Sequence, residues 1–239
     1  MSKASDISRT NMFDEGQVTV LFTKLNSQNG PIQTGISMDF APGGLSDWSF
    51  TRLTISNRAE RTFGRFGARV RSLIGRTWQN DNGIPVQERY TVEGAGSGDM
   101  YRKFYLRDES SFYGDTDMRS RYHLAGDGNL RAFGNQGLVG VEEITAATVE
   151  TFLTQSIAGL RIELATFIDM GILTGSKLFK GDNGFNSTSL VDYGIGIRLS
   201  KNIFGQAFYL RFDKPLSATV DGESIKNMND WVFSFQKSI

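Results

Sequence analysis

The residues able to do chemistry in this chain are mainly arginines and carboxylates. There is no cysteine and only one histidine, His123, so thiolate metal sites are excluded and a histidine-based one is short of ligands. No serine sits in a Gly-x-Ser-x-Gly elbow, and His123 has no evident triad companions. "EGAGSGD", Glu93 to Asp99, lacks the lysine-serine ending of a phosphate loop, and no helical pattern follows it. Nothing marks Glu142 and Glu143 as glycosidase acids. Asp182, Asn183 and Asn186 in "KGDNGFN" fall short of a full calcium loop. No catalytic residue, metal or cofactor is expected. What remains is Arg131 in "YHLAGDGNLRAFGNQGLVG", one arginine among five glycines. Its planar fork suits a two-pronged, charge-assisted bond to a carboxylate. Such a charge needs a carboxylate partner elsewhere in the chain.

Strands must position these groups, because period-2 alternation dominates the chain. In "IQTGISMDF" the residues Ile32, Thr34, Ile36, Met38 and Phe40 share one face. "FTRLTISNR" sets Thr51, Leu53 and Ile55 against Arg52, Thr54 and Ser56. "FGRFGARVRS" sets Phe66, Ala68 and Val70 against Arg65, Gly67, Arg69 and Arg71. A shorter first strand is expected at Val18 to Phe22. Residues 75 to 143 break the rhythm and read as a long loop region, with weak strands at "QERYTVE" and "RSRYHLA". Five alternating segments follow: "ITAATVETFL", "GLRIELATFIDMGIL", "SLVDYGIGIRLS", "GQAFYLRFDKPL" and "DWVFSFQKSI". Turn chemistry fills the connectors, including "DGESIKNMND". Parity then places Phe167 and Asp169 with Arg161 and Glu163, and Glu150 with Thr148 and Ala146. Both carboxylates fall on polar faces of neighbouring strands.

Nine strands stand out in the 239 residues, and the weak pair would make eleven. Composition agrees, with 27 glycines, 18 phenylalanines and 4 prolines. The 26 basic and 26 acidic residues cancel, which gives no general case for nucleic acid. No run reaches the ~20 apolar residues of a membrane helix, and "MSKASDISRTNMFDEG" lacks the apolar core of a secretion signal. The segments span about 10 residues or somewhat more, enough for the ~9–11 of a tilted membrane-crossing strand. Their polar faces carry both signs of charge: Arg161, Glu163, Asp169, Asp192, Arg198, Arg211 and Asp213. A soluble sandwich would hide the apolar face, whereas an outer-membrane barrel turns it to lipid.

The last ~115 residues resemble the C-terminal barrel of the outer-membrane protein assembly and translocation superfamily. That group holds BamA-like and TamA-like insertases, two-partner secretion transporters and bacterial surface antigens. Its Val/Ile-Arg-Gly-Phe/Tyr tetrad, on a loop folded into the lumen, is matched by Leu130-Arg131-Ala132-Phe133. The inward glutamate of the next strand is matched by Glu150, and the aromatic-x-Asp-x-Gly motif by Phe167, Asp169 and Gly171, so the resemblance implies that Glu150 and Asp169 receive the Arg131 guanidinium. The tetrad's glycine is Ala132 here, so a positive φ at that position would be strained. The final strand resembles an outer-membrane insertion signal, with Trp231, Phe233 and Phe235 alternating and Ile239 in place of the usual phenylalanine.

The resemblance implies an all-β fold, an antiparallel transmembrane β-barrel of outer-membrane type over 1–239, with 75–143 holding the lumenal motif. It implies the C-terminal part of a barrel of roughly 16 strands, because a nine-strand piece would leave edges that lipid does not tolerate. The implied function is non-enzymatic insertion or translocation of proteins at the outer membrane of a Gram-negative cell. Partners would be outer-membrane lipid and client outer-membrane or secreted proteins. A second possibility is a barrel anchoring an upstream patatin-like lipase or metallopeptidase. A "GxSxG" or "HExxH" ahead of residue 1 would mark that case, and POTRA repeats would mark assembly.

Overall fold

The strands pair in the order in which they occur along the chain. The computed structural model describes residues 3–13, 16–27, 32–79, 84, 89–90, 92, 128–133, 141–176, 185–203, 206–226, 228 and 231–237. The strands are β1 (Lys3–Phe13), β2 (Gly16–Ser27), β3 (Ile32–Ala41), β4 (Phe50–Phe63), β5 (Phe66–Gln79) and β6 (Glu143–Ile157). They continue with β7 (Leu160–Ser176), β8 (Phe185–Ile203), β9 (Gln206–Val220), β10 (Glu223–Ser224) and β11 (Val232–Lys237). All belong to one antiparallel sheet, with β10 and β11 both pairing β9. Among the described residues no ladder joins β1 to β11, so the sheet is not closed as a barrel. No helix occurs among them.

Alternation translates into two unlike faces. Register carries one apolar row from strand to strand: Ile32 pairs Ala59, Ala59 pairs Val70, Val70 pairs Val149, Val149 pairs Ile168 and Ile168 pairs Tyr193. That face is exposed, with Ile74, Ile168, Met170, Ile172, Ile195 and Ile197 each at least two-fifths accessible. The opposite face is buried and carries Arg52, Thr148, Glu150, Glu163, Asp169, Asp192 and Asp213. A one-residue slip in register would exchange the two sets, so the pattern itself fixes the pairing.

Short connections hold the long strands in register. Ala158 and Gly159 link β6 to β7 with φ of 49° and 76°, as a two-residue hairpin turn of primed type requires. The β8 strand runs for 19 residues and β7 for 17, well beyond the ~5–6 usual in soluble proteins.

Several boundaries differ from those expected. The strand at Val18 to Phe22 is longer and forms β2, and β1 precedes it without an apolar stripe to announce it. Arg65, placed on a strand face by its alternation, lies in the turn between β4 and β5. The β5 strand continues to Gln79, past the boundary at 75 where the loop region was expected to start. "DGESIKNMND", read as a connector, contains the two-residue β10. Within "QERYTVE", Tyr90 forms an antiparallel bridge with Val141. "RSRYHLA", "EGAGSGD", His123, Asp182, Asn183 and Ile239 lie outside the described residues.

Candidate functional site

Segment 128–133 lies on the buried face and crosses several strands. Leu130, Ala132 and Phe133 join an apolar cluster with Leu73 on β5, Ile144 and Ala146 on β6, Leu173 on β7, Leu190 on β8 and Ala218 on β9. The backbone amide of Leu130 donates to the Val92 carbonyl at 3.2 Å. Tyr90 and Val141 exchange amide–carbonyl bonds of 3.0 Å in both directions. Two limbs of the connection between β5 and β6 therefore brace one another against the sheet.

Glycines make room for both limbs. A Cβ on Gly171 would lie 2.6 Å from Cδ1 of Leu130, and one on Gly75 would lie 2.4 Å from the Tyr90 ring. The Tyr90 hydroxyl donates to the Leu53 carbonyl at 2.6 Å. Anchoring by Tyr90 was not foreseen from sequence, because nothing local distinguishes it from an ordinary loop tyrosine.

Ala132 takes no left-handed backbone angle. Among the described residues the positive φ in this segment falls on Asn129, at 53°. Asparagine is one of the few non-glycine residues that visit this region readily. Its side-chain amide donates to Thr148 at 3.4 Å. The alanine in the tetrad thus carries no backbone penalty.

Arg131 is 1 % exposed and sits among carboxylates from three strands. Its Nη2 donates to one oxygen of Asp169 at 3.2 Å, and its Nε lies 3.1 Å from the other in ion-pair contact, so the guanidinium sits side-on to both oxygens. Nη2 also lies 3.5 Å from Glu150, and Nη1 lies 3.5 Å from Asp213. The guanidinium carbon stands 3.6 Å from the centroid of the Phe167 ring. Asp192, directly across the ladder from Asp169, accepts the backbone amide of Ala132 at 3.2 Å. The structure therefore brings Arg131, Glu150, Phe167, Asp169 and Gly171 together around the segment. It adds Asp192 and Asp213, which the sequence marked as polar-face charges without linking them to Arg131.

A second ionic group adjoins the first. Glu150 accepts Arg69 at 2.5 Å, Arg211 at 3.2 Å and also Arg198. Glu163 lies 3.1 Å from Arg69 and 3.0 Å from Arg198. Side chains of five successive strands, β5 to β9, meet in these two groups. Burying so many charges is tolerable because Arg69, Arg131, Glu150, Glu163, Asp169, Arg198, Arg211 and Asp213 each lie within ion-pair distance of an opposite charge, and Asp192 accepts a backbone amide.

One motif occurs three times on this face. Arg131 lies over Phe167, Arg69 over Phe152 at 4.6 Å, and Arg52 over Tyr90 at 4.1 Å. Each ring in turn covers a glycine: Gly194, Gly67 and Gly75 respectively. The missing side chain lets the ring lie flat on the backbone, and its free π-face then receives a cation.

The C-terminal aromatics lie apart from this site. Trp231 precedes β11 and is exposed, while Phe233 packs against Phe212 with ring centroids 5.0 Å apart. Register puts Phe233 opposite Phe212 and Phe235 opposite Leu210; of Phe235 only the backbone is described. Among the described residues no cluster of His, Cys, Asp and Glu is arranged to hold a metal ion. Comparison with known proteins finds no family and no curated protein that the chain matches.

Proposed function

We propose that this chain is an outer-membrane β-barrel protein of the surface-antigen or assembly-factor type, acting without catalysis in the insertion or translocation of proteins. The observation that carries this reading is the buried ion pair between Arg131 and Asp169, on a loop segment lying against the charged face of a sheet whose apolar face is exposed. Such an inversion suits a wall with lipid outside and a polar lumen inside. A sandwich would need a second layer over the apolar face. The order of Leu130-Arg131-Ala132-Phe133, Glu150 and Phe167-x-Asp169-x-Gly171 supports assignment to the assembly and translocation superfamily. Lipid and client proteins are then the partners, and the bacterial outer membrane is the location.

In this reading the tucked segment braces the wall, and a client strand pairs with a sheet edge by augmentation. The short β11, which covers only Phe208 to Asp213 of β9, fits a weakly held edge. The test is reconstitution into phospholipid vesicles with a second, unfolded barrel as client. Faster insertion of the client than into protein-free vesicles is expected, with the gain lost in Arg131→Ala. Normal membrane insertion of this chain without any acceleration would refute the assembly role. Partition into the aqueous phase without detergent would refute the membrane reading altogether.

A further inference from the structure

The two ends of the sheet differ in charge. Connectors 28–31, 64–65, 158–159 and 204–205 are short and share one end, whereas the long connection 80–142 belongs to the other. Those four connectors, with the three strand residues on either side of each, contain Arg61, Arg65, Arg161 and Lys201 and no acid. Register sets Lys3 opposite Asn26, and Lys237 opposite Phe208, which itself pairs Lys201. The outer strands thus bring two more cations to the same end. Turns and strand ends at the far end instead hold Asp14, Glu15, Asp39, Asp47, Glu143 and Asp221.

Arg61, Arg65, Arg161 and Lys201 are all exposed. Arg61 lies over the Phe63 ring at 5.0 Å. Arg161 lies 3.5 Å from Glu163, an acid that Arg69 and Arg198 already hold from the buried side. Glu60, next to Arg61 in sequence, is engaged by Arg69 at 2.7 Å. Large apolar side chains share these tips: Phe63 pairs Phe66 beside one turn and Ile157 stands at another, each more than half exposed. From Arg61 on β4 to Lys201 on β8 the cations spread over four strand spacings, about 19 Å. That is too wide for one small anion and suits a plane of many. An acidic protein segment would match the charges but leave the apolar tips uncovered. Hydrocarbon tips flanked by cations match the layer where acyl chains meet phosphate. We propose that the short-turn end of the sheet docks in the headgroup layer of anionic phospholipids, with Arg61, Arg65, Arg161 and Lys201 against the phosphates. This inference rests on the membrane reading above, in which short turns mark the periplasmic end of a barrel.

The full chain reconstituted in phosphatidylcholine vesicles provides the test, with spin-labelled phosphatidylglycerol and phosphatidylcholine as probes of lipid held at the protein surface. At low salt the parent is expected to hold phosphatidylglycerol roughly threefold more strongly. Raising the salt should bring that ratio toward one without any substitution. The variant Arg61→Gln/Arg65→Gln/Arg161→Gln/Lys201→Gln, checked for heat-resistant gel migration, should do the same at low salt. Arg76→Gln/Lys226→Gln at the far end should keep the parent's ratio. Equal retention of the two lipids by the parent would overturn the proposal while leaving the membrane reading intact. So would a preference indifferent to salt, one that survives the fourfold variant, or one lost in the far-end variant. Capture of polyglutamate by the inserted protein, with no lipid preference, would assign this end to an acidic protein partner and equally overturn it. No immobilised lipid of either kind, with the protein recovered in the aqueous phase, would instead sink the reading on which the proposal rests.

Discussion

Ile168 and Asp169 are consecutive on β7, yet the first is 47 % exposed and the second not exposed at all. The same inversion repeats at Val149 and Glu150, where the hydrocarbon faces out and the acid faces in. In a water-soluble sheet with one covered face, the apolar set is the covered one. Here the covered face keeps its charges because they are partnered. The exposed face keeps its hydrocarbon in rows that continue from β3 to β8. The two faces are thus adapted to different surroundings, and substitutions on each should respond to different solvents.

The largest effect belongs to the covered face. Arg131→Ala deprives Asp169, Glu150 and Asp213 of a shared cation, and breaking a buried pair from one side costs ~3–5 kcal/mol. Urea unfolding, or loss of heat-resistant migration on semi-native gels, reads this directly. Arg131→Lys should recover only part, because an ammonium lacks the fork that spans both oxygens of Asp169. A wild-type midpoint for Arg131→Ala would remove the buried pair as the basis of the contrast.

The exposed face comes next. Ile168→Arg is expected to cost ~2–4 kcal/mol when the protein folds into vesicles, the range for a cation facing the middle of a bilayer. On a hydrated surface the same exchange at a half-exposed position should stay within ~0.5 kcal/mol. Folding free energies in vesicles therefore decide whether this face meets lipid.

Packing between segment and sheet should give a smaller change. Gly171→Val brings a side chain against Leu130, whose Cδ1 would lie 2.6 Å from the new Cβ. Overpacking of this kind costs ~1–3 kcal/mol. Leu130→Ala should relieve it, so the double variant ought to be more stable than the sum of the two single losses. Strict additivity would mean that the segment is not seated on β7.

Much of this site was legible before any coordinates. Parity alone placed Glu150 and Asp169 on one face, and the ordered motifs pointed to Arg131 as their partner. Asp213 and Asp192 escaped as members of the same site because alternation gives each residue's face but not the strand register, which sets Asp192 opposite Asp169 and brings Asp213 within reach of Arg131. Tyr90 escaped because its glycine, Gly75, lies in another segment of the chain, and only the register and the tucked path bring them together. The strand β1 escaped because its residues lack a period-2 apolar stripe; pairing with β2 defines it. Asn129 was hidden behind the alanine of the tetrad, where strain was expected and is not found.

The smallest predicted effect tests whether charge pairing on the covered face weakens toward its rim. Arg161 lies 3.5 Å from Glu163, but its side chain is 46 % exposed. Arg69 contacts the same glutamate at 3.1 Å, together with Glu150 and Glu60, with its side chain only 15 % exposed. Water and salt screen the first pair, and its members retain much of their hydration, so Arg161→Ala should cost no more than ~0.5 kcal/mol. Raising the ionic strength should shrink even that, because added salt shortens the Debye length and screens exposed pairs far more than buried ones. Arg69→Ala should cost several times more and change little with salt, since the Phe152 ring and three acids enclose that guanidinium. A salt titration of both variants is therefore sharper than either midpoint alone. Equal salt sensitivity would place Arg69 in the same hydrated environment as Arg161. The difference between the two faces would then begin only deeper, at Arg131.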